Sequence, residues 1–168
     1  MNKIAKFEKV SYNQFESDWK DTFGESENIK AIYDLIQLPQ RATKGSAGYD
    51  FFLPCDIVLE PQKTMKIPTG VRVRIDKGWV LQIFPRSGLG FKFTLRLNNT
   101  VGIIDSDYYF SDNEGHMFIK ITNENWESKV LQLNSGDGFA QGIFLPFGIC
   151  EDDQTESVRN GGLGSTSK

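Results

Sequence analysis

Histidine is nearly missing from this chain. Its 168 residues hold one, His116, and two cysteines, Cys55 and Cys150. A structural zinc site needs about four closely spaced His or Cys ligands, so none is expected. A histidine-based nucleophile triad has a single candidate ring, with no partner near it in the sequence. His116 lies in an irregular polar stretch, and a surface position is expected for it. The two cysteines match no metal spacing. Two free thiols are the simplest reading, and a disulfide stays open because sequence does not give their separation in space.

Long apolar runs are lacking too. No stretch is long enough to span a bilayer, and the start, MNKIAKFEKVSYNQF, has no signal-peptide core. A cytoplasmic protein without a membrane partner is expected. There is no basic stripe either, and the net charge is -3. That argues against nucleic acid as partner, but not against a small anion in a locally basic pocket. With 39% hydrophobic residues and mixed charge, the chain is sized for one globular domain with a real core.

The first part is helical in flavour. SYNQFESDWKDTF sets Phe15, Trp19 and Phe23 four apart, on one helical face, with Ser11 as N-cap. Ile29, Ile32, Tyr33 and Ile36 continue at helical spacing until Pro39. From Ala42 the texture changes to short runs punctuated by Gly and Pro. Strands are expected at 50–52, 56–59, 65–67, 71–75, 79–84, 94–97, 101–104, 117–122, 129–133 and 139–146. In VRVRI, apolar residues alternate with arginine, as in a half-buried strand. Many short strands with turns between them suggest a sandwich, jelly roll or barrel. The division expected is a helical extension over 1–37, a β core over 38–150 and a polar, glycine-rich arm over 151–168.

Five glycine-containing stretches, expected as loops, carry chemistry of their own. PRSGLG puts a guanidinium, a hydroxyl and glycine amides close together, which suits a phosphate. RNGGLGSTS pairs an arginine with hydroxyls and could close over an anion. NNTVGIIDSDYY reads as a hairpin followed by Asp105, Asp107 and two tyrosines, where a carboxylate could hold a water beside a flat ligand. SGDGFAQGIF reads as a turn into a strand, and AGYDFF as a turn with Asp50 capping backbone donors.

Taken in order, the five resemble the motifs of the trimeric deoxyuridine triphosphatase (dUTPase) family. LPQRATKGSAGYDFF, PRSGLG, GIIDSDY, GDGFAQGIF and RNGGLGSTS correspond to motifs one to five, and the resemblance covers Leu38 to the C-terminus. It implies an all-β jelly roll that hydrolyses dUTP to dUMP and pyrophosphate with Mg2+. It also implies a homotrimer with shared active sites. Asp105 would activate the water that attacks the α-phosphorus. Tyr108 would pack under the deoxyribose and exclude a 2′-hydroxyl. Asn99 and Gly102 would belong to the hairpin that reads uracil. Arg86, Ser87, Gly88 and Gln141 would line the phosphates. Asp50 would act through water on the magnesium or by fixing Arg86. Arg159, Gly162, Leu163, Ser165 and Thr166 would close over the triphosphate.

Two departures from the family pattern stand out. Leu163 occupies the place of a phenylalanine that stacks on uracil, and Phe110 and Phe118 are candidates to replace it. The third motif runs on into Tyr109, Phe110 and a polar insert, SDNEGH. The nearest alternative, dCTP deaminase, shares a serine-bearing phosphate loop but uses a glutamate near the base, and IIDSDY has none. A further alternative adds a regulatory protein partner, as in phage-type relatives, through the insert or the aromatic helix.

Overall fold

The computed structural model describes residues 2–157 and Arg159. The chain opens with a strand that the sequence reading did not contain, β1 (Ala5–Lys9). Two helices follow, α1 (Tyr12–Phe23) and α2 (Ile29–Leu35). Then come β2 (Tyr49–Phe52), β3 (Ile57–Leu59), β4 (Thr64–Pro68), β5 (Val71–Ile75) and β6 (Trp79–Pro85). A short helix, α3 (Ser87–Phe93), leads to β7 (Leu95–Leu97) and β8 (Gly102–Ile104). A 3-10 turn (Ser106–Phe110) precedes β9 (Phe118–Asn123), β10 (Leu131–Leu133) and β11 (Gly138–Pro146). All ten expected strands occur, with ends moved by a residue or two. Every strand pair is antiparallel, in sheets ordered β2-β11-β6-β8, β4-β9-β7, β1-β5 and β10-β3. This is a jelly-roll-like body.

Alternation explains which way the strands face. Val71, Val73 and Ile75 point inward, with Arg72 and Arg74 between them on the outer face. Leu81 and Ile83 of β6 meet Ile121, Ile67, Phe139 and Ala140 in the same core. Ser11 caps α1, its Oγ accepting from Gln14 N–H at 3.2 Å. Phe15 and Trp19 are buried as their spacing implies, whereas Phe23, at the helix end, stays 41% exposed.

The helices seat on Gly70, between β4 and β5. Its φ is +71°, and a Cβ there would lie 2.2 Å from Ile36 Cδ1 and 3.3 Å from Phe15. A side chain at 70 would therefore collide with both helices and strain the turn. Among the described residues no helix is long and apolar enough to cross a membrane, and both cysteines are free. Burial pushes the Cys55 thiol up to about 11, with the Asp56 charge adding to it, so it stays protonated and unreactive.

Two local expectations are corrected. NNTVGIID is no hydrogen-bonded hairpin: β7 pairs with β9 and β8 with β6, so the turn at 98–101 carries the chain from one sheet to the other. The PRSGLG stretch does not stay a loop but winds into α3 directly after Arg86.

Candidate active site

The central sheet gathers three of the motif stretches at one end. Gln141 of β11 stands opposite Asp50 of β2 on one side and Phe84 of β6 on the other. A register shift between Gly138 and Ala140 turns the backbone there. Arg86 leaves β6 at this same end. Its Nε lies 3.4 Å from Asp50 Oδ1, and its Nη1 donates to the Gly138 carbonyl at 3.2 Å. A Cβ on residue 138 would meet Nη1 at 2.6 Å, so glycine leaves the space in which the guanidinium lies. Gln141 Nε2 donates to the Pro85 carbonyl, a long contact at 3.4 Å. Ser87 and Gly88 open α3 beside this cluster. The result is a fixed cation with hydroxyl and amide donors around it, a chemistry suited to phosphate oxygens.

A second group forms at the other end of β6. In the antiparallel register Ile104 faces Leu81, which sets Asp105 beside Val80. From Val80 to Arg86, at roughly 3.3 Å per residue, is about 20 Å. Arg159 reaches back from the arm to this group. Its Nη2 donates to Asp105 Oδ2 at 2.7 Å, and its Nε lies 3.1 Å from Asp107 Oδ1, an ion pair without hydrogen-bond alignment. The guanidinium also stands 5.6 Å from the Tyr108 ring centre. Arg159 is thus joined to Asp105 and not to the Arg86 cluster. Gly162, Leu163, Ser165 and Thr166 lie outside the described residues.

Tyr108 is buried and doubly bonded. Its hydroxyl donates to the His116 carbonyl at 2.6 Å and accepts from Asn113 Nδ2 at 3.0 Å. Burial pushes the phenol above its ordinary value, so it stays neutral. Next to this group a cavity of about 240 Å³ opens between the sheets. Asn98, Asn99, Gly102, Ile104, Phe118 and Lys66 are among its lining residues. That is room for a flat ring. Phe110, by contrast, is 78% exposed and packs edge-on against Tyr109 at 5.1 Å.

His116 overturns the expectation of a surface ring, for it is fully buried. Its Nε2 accepts from Gly70 N–H at 2.8 Å, which leaves the ring proton on Nδ1, 2.5 Å from Asp18 Oδ2. Burial works against the Asp18 carboxylate, but hydrogen bonds from His116 and Gln14 outweigh it and hold Asp18 below its ordinary value. Asp18, Asn113 and Lys66 were not singled out by sequence. Asp18 and His116 are 98 positions apart in the chain, so no local pattern could join them.

No group of three or more His, Cys, Asp or Glu able to hold a metal occurs among the described residues. Asp50 is engaged by Arg86 and Asp105 by Arg159. Such a donor set fits an ion carried mainly by substrate phosphates, not one caged by the protein.

A family model described as dUTPase matches residues 34–167. The chain belongs to the dUTPase family. It is 40% identical over 134 residues to the deoxyuridine 5′-triphosphate nucleotidohydrolase of Lactococcus lactis subsp. lactis, covering 78% of this chain and 88% of that protein. The protein of the same name from Tolumonas auensis is 38% identical over 145 residues, covering 82% of this chain and 91% of that one. Among solved structures, the dUTPase from Streptococcus mutans superposes with a TM-score of 0.64 at 30% identity, covering 86% of this chain and 98% of that one. The dUTPase of Staphylococcus bacteriophage 80alpha, solved with dUPNHPP, shares the fold at 23% identity, with a TM-score of 0.64 over 99% of this chain and 100% of that one.

Proposed function

We propose that the dUTP hydrolysis of this dUTPase, giving dUMP and pyrophosphate, runs in sites assembled between copies of the chain. In each site Asp105 of one copy would face the Arg86 cluster of another. The observation that carries this reading is the separation along β6. The candidate base, which follows β8, and the candidate phosphate cradle lie beside opposite ends of β6, about 20 Å apart at the usual strand rise. An α-phosphorus must lie within a few ångströms of both, so one chain alone cannot serve a single triphosphate. A closed ring of identical copies, such as the trimer implied by the motif set, brings the two ends together. Exposed apolar side chains, Phe91, Phe147 and Ile149 among them, are available for such contacts.

Within that site each residue has a defined task. Uracil would enter the cavity beside Asn99 and Gly102, where backbone donors and acceptors of the 98–101 turn select its edge. Phe118 would provide an aromatic wall. The Tyr108 ring would pack under the deoxyribose and leave no room for a 2′-hydroxyl. Arg86, Ser87, Gly88 and Gln141 would hold the phosphates, with Arg86 kept in line by Asp50. Asp50 would hold magnesium through water, and the ion would supply charge neutralisation at the triphosphate. Asp105 would accept the proton of the attacking water, once Arg159 leaves it for the phosphates. The arm residues Gly162, Leu163, Ser165 and Thr166 would then cover the substrate.

The test is pyrophosphate release from dUTP, UTP, dCTP and dTTP with Mg2+. The wild type should turn over dUTP alone, and Asp105→Asn should lose on the order of 10²- to 10⁴-fold, the usual contribution of a positioned general base. Ammonia release from dCTP would replace this reading with a deaminase.

A further inference from the structure

The geometry points to the N-terminal helix as the element that positions the deoxyribose-sensing tyrosine: Asp18 of α1 holds His116, and His116 with Asn113 holds Tyr108. This inference rests on the proposed role of Tyr108 under the sugar. The links are contiguous. Asp18 Oδ2 takes the Nδ1 proton of His116 at 2.5 Å, and Gly70 N–H fixes the other ring nitrogen at 2.8 Å. With its ring held at both nitrogens, the residue's carbonyl is fixed too, and it receives the Tyr108 hydroxyl at 2.6 Å. Asn113 Nδ2 donates to the same hydroxyl at 3.0 Å, and weakly to the same carbonyl at 3.3 Å.

The SDNEGH insert forms a cradle of its own beneath the tyrosines. Gly115 has φ +71°, and a Cβ there would lie 2.8 Å from both the Tyr108 carbonyl oxygen and Tyr109 Cα. Only glycine lets the insert turn back this closely. The insert is also tied to the start of α1, because Glu114 accepts from Ser11 N–H at 2.8 Å and from Ser11 Oγ at 2.7 Å. The His116 ring further lies 4.6 Å from Phe118, a wall of the proposed base cavity. One buried histidine therefore supports the sugar face through its carbonyl and the base face through its ring. Asp18, Asn113 and His116 would act through Tyr108 and Phe118, so they are positioning residues.

The experiment compares kcat/KM for dUTP and for UTP in Asn113→Ala, Asp18→Ala, Asp18→Asn and Tyr108→Ala, with a thermal midpoint for each. Asn113→Ala and Asp18→Ala should each lower the dUTP-over-UTP ratio by about tenfold, since a loosened ring admits the 2′-hydroxyl. Asp18→Asn keeps an acceptor for the Nδ1 proton and should retain most of the ratio. General loss of stability lowers both rates together and leaves the ratio unchanged, so the ratio reads positioning alone. Asn113 is a partly exposed insert residue, which keeps the test usable if Asp18→Ala folds poorly. An unchanged ratio in Asn113→Ala, with Tyr108→Ala lowering it, overturns the positioning inference and leaves the role of Tyr108 standing. An unchanged ratio in Tyr108→Ala overturns both.

Discussion

Asp105 is a half-exposed carboxylate that already has a cation against it, while Arg86 is a cation that already has a carboxylate. Both pairs are partly buried, and a triphosphate can take over either cation because its oxygens replace the carboxylate as partner. The two candidate phenylalanines now differ sharply. Phe118 lines the cavity, and Phe110 projects into solvent. Phe118→Ala should raise KM for dUTP by about tenfold, as expected from losing roughly 1–3 kcal/mol of base–aromatic contact. Phe110→Ala should leave KM within about twofold. Steady-state kinetics on the two variants decide it, and the reverse result would assign the ring to Phe110. At this scale the sequence was legible where chemistry is local. Asp105, Asn99, Arg86 and Ser87 can be named as candidates because short stretches carry their meaning. His116 was misread because its partners, Asp18 and Gly70, come from distant parts of the chain.

At the scale of elements, alternation made the strands readable. Val71–Ile75 buries Val71, Val73 and Ile75 in alternation, as a period of two predicts, whereas Trp79–Pro85 buries Val80 as well as Leu81 and Ile83. β1 is not legible in the sequence because AKFEK is short, charged and partnered 62 or more positions away. Nor is α3, because Gly88 and Gly90 lower helix propensity, yet the helix forms where β6 must turn toward β7. The join between helices and β core depends on Gly70. Gly70→Ala should cost about 1–3 kcal/mol, through a disfavoured φ and the clash with Ile36, and lower the thermal midpoint by several degrees. Differential scanning calorimetry measures this. An unchanged midpoint would show that Ile36 can move aside and that the turn tolerates a side chain.

For the whole molecule, the proposal of sites between copies makes association part of catalysis. Asp105→Asn and Arg86→Ala should each be nearly inactive alone. Denatured together in equal amounts and refolded, they should regain activity in about a quarter of the sites, since random assortment pairs an intact Asp105 with an intact Arg86 from a neighbour that often. Recovery read by dUTP turnover supports sites between copies, and no recovery places each site within one chain. The resemblance to the family implies shared sites, but the order of the motifs does not say which residues face one another across copies. Motif order along a chain carries no information about which end of a strand each motif leaves.

Strand β1 lies along an edge of β5, pairing Ala5 through Lys9 with Ile75 through Val71. Remove those residues and the backbone donors and acceptors on that edge stand open beside Val71, Val73 and Ile75. Unpaired edges rich in β-branched residues recruit other strands, and only Arg72 and Arg74 would remain as gatekeepers. A chain shortened to begin at Val10 should therefore self-associate beyond its normal assembly, with light scattering that rises with concentration. The first residues then act as a guard against aggregation, a duty separate from anything they contribute to the sugar pocket.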